Sequence, residues 1–259
     1  MTVTPAMSAQ RAAAICARAA EAHATAGVPW GEAVHHTVRS LITRLAAARA
    51  LPDPGLSYPS CPPAETVLDE LGPLTGWQVT DLGDVHQLLL ELTPVTGADG
   101  TVWAVRPDQG RRDRLGAWYT PPEVSAALLS LGLTAQLDRL AADPDPAAVT
   151  DLAVIDPACG AGVILVEAAR QLADLFAARV TGQTPPPPVH ARAALPVVME
   201  HCVYGVDIDP VAVDLTKTAL WLEVAGLRPF GFMDRNITVG NVLEDILPPA
   251  YRDLYGVTS

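Results

Sequence analysis

Val154-Ile155-Asp156-Pro157-Ala158-Cys159-Gly160-Ala161-Gly162-Val163-Ile164-Leu165 is the stretch on which the fold turns. The run Ala153-Val154-Ile155 has the length and β-branched content of a short buried strand, and the residues from Gly162 to Val180 repeat at helical spacing. Strand, glycine turn and helix in that order let backbone approach a ligand where any Cβ would collide. A dinucleotide fingerprint needs Gly or Ala at the position of Leu165 and seats a pyrophosphate on the helix start. With Leu165 there, the turn fits a ligand without a phosphate, and Asp156 at the strand's end suits one that carries an ammonium and a sulfonium group. The plainer alternative is a glycine turn that serves chain reversal alone.

Toward the C-terminus the same alternation continues. Val203-Tyr204-Gly205-Val206 reads as a second strand, Pro210 to Ala225 as a helix and Ile237-Thr238-Val239 as a third strand. An acidic residue at a second strand's tip accepts hydrogen bonds from vicinal ribose hydroxyls in nucleoside-binding α/β folds, which is the place of Asp207. Ile208 then lies against an adenine face. Asp209 followed by Pro210 has the form of a helix N-cap with proline in the first turn. Between Thr181 and Pro196, Thr184-Pro185-Pro186-Pro187-Pro188 reads as a stiff extended insertion that is neither helix nor strand; it lengthens the spacing from the glycine turn to Asp207.

Toward the N-terminus, Pro122 to Ala141 reads as one helix, and the alternation of short apolar runs with amphipathic helices beyond it is that of an α/β doubly wound domain. The preceding region is mostly helical. Ser8 to Ala24 and Gly31 to Ala50 are helices separated at Gly27-Val28-Pro29, and shorter ones follow over Ala64 to Leu71 and Asp81 to Leu92, the last capped by Asp81 or Asp84. A Gly97-Ala98-Asp99-Gly100 turn leads into a strand at Thr101 to Val105. The most basic stretch, Gln109-Gly110-Arg111-Arg112-Asp113-Arg114, reads either as a solvated loop or as a phosphate contact. The expected division is a helical region over 1–110 and a ligand-binding domain over 111–259.

Bulk composition narrows the possibilities. The chain has 259 residues with 49% hydrophobic and 5% aromatic content, so Ala, Leu and Val build the core. Its formal net charge of -12 disfavours a surface that grips a polyanion, which needs clustered Lys and Arg. Cys16, Cys61, Cys159 and Cys202 form no metal-ligand spacing and read as reduced thiols of a cytoplasmic protein. No apolar run approaches the roughly 18 to 20 residues that span a bilayer. His35 and His36 are adjacent on a helix and cannot share a face, and the other four histidines have no partner at ligand spacing, so no metal centre is expected. Cys159, inside the turn, reads as a small packing residue under a ligand rather than a nucleophile.

Taken together, the segments from Leu115 to Glu244 resemble the adenine-directed amino-methyltransferases of DNA restriction-modification and phage-defence systems, in their gamma motif order. The resemblance implies a Rossmann-like sheet that binds S-adenosylmethionine. Tyr119, Thr120 and Pro121 resemble the motif that holds the methionine end of the cofactor; read alone, they are a helix start capped by Thr120. Asp156, Pro157, Ala158, Cys159, Gly160 and Gly162 are similar to the DPxCGxG-type motif. Asp207 and Ile208 match the ribose and adenine contacts, and Asn241 in Thr238-Val239-Gly240-Asn241-Val242-Leu243 takes the place of the polar residue at the adenine amino edge.

The family's chemistry rests on an Asn-Pro-Pro-aromatic motif, and Leu247-Pro248-Pro249-Ala250-Tyr251 is not that motif. Leu247 has no side-chain acceptor, and Ala250 separates the prolines from the ring. A flipped base needs its amino group held and its ring stacked, and no residue is assigned to that catalytic role. The expectation is therefore a cofactor-binding part that contacts duplex DNA through further C-terminal parts and is inactive without a complementing subunit that carries the motif. Methyl transfer to RNA or protein, or a non-catalytic scaffold that binds the cofactor, stand as alternatives.

Overall fold

A computed structural model describes residues 7–106, 120, 122–140, 143, 145–224 and 227–242. The chain divides into two compact units, residues 1–119 and 120–259.

The first unit is built on α1 (Ala9–Thr25), α2 (Trp30–Ala48), α3 (Pro62–Leu68) and α4 (Val79–Leu90). Its core is the apolar stripe of each helix: Cys16, Ala19 and Ala20 of α1 against Val38, Leu41, Ile42 and Leu45 of α2, with Leu68, Leu82 and Leu89 closing it. Alanines on α1 let the helices approach closely. The Ser8 side chain caps α1 by accepting from the Arg11 N–H at 3.3 Å. Asp81 is not the cap of α4. Gln78 holds that position, and the Asp81 carboxylate at the third helical residue reaches back to accept from the Gln78 N–H at 2.6 Å.

An antiparallel hairpin of β1 (Thr93–Thr96) and β2 (Val102–Val105) completes this unit. Only β2 is legible beforehand; β1 is exposed along its whole length and so carries no alternation. The free edge of β2 is covered by α1 side chains, with Val102 N–H donating to Thr25 Oγ1 at 3.0 Å and Ala104 N–H to Glu21 Oε1 at 2.7 Å.

The second unit holds a parallel sheet of β3 (Val154–Asp156), β4 (Val203–Asp207) and β5 (Ile237–Val239) in the order β3-β4-β5. Before it come α5 (Pro122–Gly132), α6 (Thr134–Leu140) and the short α7 (Ala147–Thr150). The single helix expected over Pro122 to Ala141 is thus two, broken at Leu133. Helices α8 (Val163–Thr181), α9 (Pro188–Cys202) and α10 (Pro210–Glu223) connect the strands.

Helix α9 corrects the reading of the proline-rich insertion. Its last proline, Pro188, occupies the first helical turn, where a missing N–H costs nothing, and the helix tolerates Pro196 within it. The junction into β4 is tied by the Asn236 side-chain amide, which donates to the carbonyls of Glu200 at 3.0 Å and Val203 at 2.9 Å. These helices and strands bury Leu165, Leu172, Met199, Leu215 and Trp221 almost completely. The chain is thus an α/β protein in which a mostly helical N-terminal region precedes a Rossmann-like domain.

Candidate functional site

Parallel strands put all their carboxyl ends on one side of the sheet, and the turns that follow them meet there. Asp156 ends β3, Asp207 ends β4, and Gly240 follows β5. Asp156 folds its own turn, its Oδ1 accepting from Ala158 N–H at 3.1 Å. The glycine turn then lies against the end of β4, with Cys159 N–H donating to Val206 O at 3.0 Å and Gly160 N–H to Asp207 Oδ2 at 2.9 Å.

Asp207 is the junction of all three loops. Its Oδ1 accepts from Asp209 N–H at 2.9 Å, and its backbone carbonyl accepts from Gly240 N–H at 2.9 Å. A carboxylate offers roughly four lone-pair directions. Two backbone bonds leave capacity on each oxygen for the vicinal hydroxyls of a ribose. The chemistry of this donor set fits S-adenosylmethionine on that count. Ile208, beside Asp207, is 56% exposed and presents an apolar face of the kind a flat base covers.

Two glycines of the turn have left-handed backbone, Gly160 at φ +55° and Gly162 at φ +79°. A side chain at Gly162 would also stand 3.1 Å from the Thr216 backbone, so glycine is required there twice over. Inside the sheet, a Cβ at Gly205 would lie 2.9 Å from Leu165 Cδ1 and 3.1 Å from Cys159 Cβ. Glycine at that strand position lets the glycine turn and α8 pack onto β4. A glycine within a strand run is the one local sign of such an approach, and Gly205 is not among the site residues expected from the sequence.

The electrostatics of the site are acidic. Burial pushes the Asp156 carboxyl above the usual carboxylate range and the neighbouring Asp207 charge adds to this, while the Ala158 N–H works against it. A cationic ligand would relieve that repulsion. Burial also pushes the Cys159 thiol up to about 12, which leaves it protonated and unsuited to nucleophilic attack at neutral pH. Among the described residues no cluster of histidines, cysteines and carboxylates could hold a metal ion.

Of the residues singled out from sequence, Asp156, Pro157, Ala158, Cys159, Gly160, Gly162, Asp207 and Ile208 lie at or beside the carboxyl end of β3 and β4. Asn241 follows Gly240 at the end of β5. Thr120 is half-buried just before α5. Tyr119, Pro121 and the arginine-rich 111–114 loop lie outside the described residues, as does the 247–251 segment. Asp209, read as a cap, is one: its side chain accepts from Val211 N–H at 2.9 Å ahead of Pro210.

A parallel sheet with a left-handed glycine turn after one strand and an acidic tip on the next defines a Rossmann-like α/β domain. Residues 147–226, which run from α7 through α10 and include both features, match the family described as RMKL-like, methyltransferase domain. This stretch is similar to a methyltransferase domain. No curated protein and no solved structure gives a significant match to the chain. No helix among the described residues is long and apolar enough to cross a membrane.

Proposed function

We propose that the second unit binds S-adenosylmethionine and forms the cofactor-binding part of an adenine-specific DNA methyltransferase of restriction-modification or defence type. The observation that carries the cofactor reading is Asp207, whose carboxylate joins the glycine turn to the tip of β4 while keeping capacity for ribose hydroxyls. Asp207 would hold the ribose, Ile208 the adenine face, Asn241 the adenine edge, and Asp156 the charged methionine end together with Tyr119, Thr120 and Pro121. When bound, the cofactor supplies an electrophilic methyl group. The residues of this chain bind and orient it, and none of them is assigned to holding the target amine.

That last role calls for an Asn-Pro-Pro-aromatic motif, which the sequence does not contain. We place a complementing polypeptide segment that carries it on the outer side of β3, one of the two edge strands of the parallel sheet among the described residues. Ile155 is 65% exposed there, beside a groove of about 410 Å³ lined by Leu129, Leu133 and Ile164 and ending at Asp156. An edge strand carries unpaired backbone groups that an added segment can pair, which favours a partner on this side. Contact with duplex DNA is assigned to the complementing parts, given the net charge of -12. Four buried free cysteines fit a reducing compartment, the cytoplasm.

The same charge and the same missing motif favour one other reading, a non-catalytic subunit that binds the cofactor within a defence complex. Isothermal titration with S-adenosylmethionine tests the shared premise: folded protein that takes up no cofactor at near-millimolar concentration refutes both. Methyl transfer from labelled cofactor to duplex DNA, RNA and protein, with and without a polypeptide that bears the motif, separates enzyme from scaffold and DNA from the other substrates.

A further inference from the structure

Thr216 lies in the middle of α10, fully buried, and nothing in the sequence marks it out. Threonines inside helices usually return their hydroxyl hydrogen to the carbonyl four residues earlier. Thr37, Thr43, Thr66, Thr181 and Thr218 all do so here, at 2.8 to 3.1 Å or, for Thr218 to Asp214, at 2.7 Å. Thr216 instead donates to the carbonyl of Gly160, 56 positions away, at 2.9 Å. Gly160 is therefore held on both sides of its Cα, by Asp207 at its N–H and by Thr216 at its carbonyl. Gly162, the other left-handed residue of the turn, packs directly on the Thr216 backbone and side chain.

We infer that Thr216 is a positioning residue, which fixes the left-handed glycine turn in the form that receives the cofactor. The inference rests on the reading of this turn as the S-adenosylmethionine site. A left-handed peptide held at one end can rotate; held at both, it presents one arrangement of backbone donors and carbonyls to a ligand. Preorganisation of this kind raises affinity by removing an ordering cost from the binding step.

The test compares Thr216→Val, which keeps the shape and removes the donor, with Thr216→Ser, which keeps the donor. Thr216→Ala serves as a second donor-free variant in case valine does not fold. Thr218→Val, on the same helix and equally buried, controls for loss of a helical hydroxyl. Two readouts are taken on folded protein below its melting temperature: affinity for S-adenosylmethionine by calorimetry, and backbone amide exchange at Gly160 and Gly162 without ligand. Removing the donor should weaken binding by about tenfold, a typical effect for one buried hydrogen bond, and should speed exchange at both glycines. Thr216→Ser and Thr218→Val should stay near wild type in both. Unchanged affinity and exchange in Thr216→Val, or equal losses in Thr218→Val, would overturn the inference. Wild-type protein that binds no cofactor refutes the site reading separately, and the exchange measurement still decides whether Thr216 holds the turn.

Discussion

Asp207 and Asp156 sit on neighbouring strand ends and carry opposite burdens. Asp207 is compensated by two backbone N–H groups, whereas Asp156 has one and is half-buried beside a like charge. Asp207→Ala should weaken S-adenosylmethionine binding by about 1.5 to 3 kcal/mol, the range for hydrogen bonds to a charged acceptor, read by calorimetric titration. An unchanged affinity would show that the ribose lies elsewhere. For Asp156 the folded carboxyl titrates above its ordinary 3.8, so the folded state holds the proton more tightly than the unfolded chain. The resulting stabilisation is complete below 3.8 and is lost as pH rises through the raised folded value. At neutral pH the ionised group is a burden to the ligand-free fold and an attraction to a cation. Asp156→Asn is therefore expected to raise the melting temperature of the free protein while lowering cofactor affinity at pH 7, and a fall in both would remove Asp156 from the cation site.

Among elements, legibility followed local pattern. Strands β3, β4 and β5 stood out because short β-branched runs lie between helical periods, and Asp209-Pro210 marked the start of α10 through capping chemistry alone. Helix α9 was hidden because a proline run reads as extended until its final member is recognised as a first-turn residue. Strand β1 was hidden because all four of its residues face solvent. At the site, Asp207 and the turn glycines were readable from residue type and order, but Thr216 and Gly205 act through contacts with residues distant in sequence, which no local pattern reports. Two substitutions test the elements themselves. Asp209→Ala removes the side-chain cap of α10 and should cost about 1 kcal/mol, measured by chemical denaturation. Gly205→Ala forces a methyl group against Leu165, Cys159 and Ile237, and overpacking of this kind costs typically about 1 to 3 kcal/mol. A Gly205→Ala variant as stable as wild type would mean that the sheet relaxes to admit it.

At the scale of the whole molecule, the two compact units hold titrating groups of opposite sign. In the first, His23 of α1 is fully buried, both its ring nitrogens lack hydrogen-bond partners among the described residues, and its ring meets His36 of α2 edge-on at 5.4 Å. Burial lowers the His23 pKa below 6.5, charge on His36 lowers it further, and Glu65 of α3 opposes the shift. Burial lowers His36 as well, with charge on His35 and Arg39 in the same direction and Glu32 against it. A base with a lowered folded pKa binds fewer protons folded than unfolded, so stability is full above the unfolded value of 6.5 and is lost as pH falls from there toward the folded one. In the second unit, Asp156 works in the other direction, gaining stability as pH falls. Mild acid should therefore loosen residues 1–119 while leaving 120–259 folded, and the single-transition description of unfolding should fail there first. Calorimetric scans at pH 7.5 and pH 5.5 would show the transition of the first unit moving down and separating from the second. His23→Leu, which removes the buried base but keeps an apolar side chain between α1 and α2, should shrink that shift. Equal shifts in wild type and variant would place the acid sensitivity outside the His23 and His36 pair.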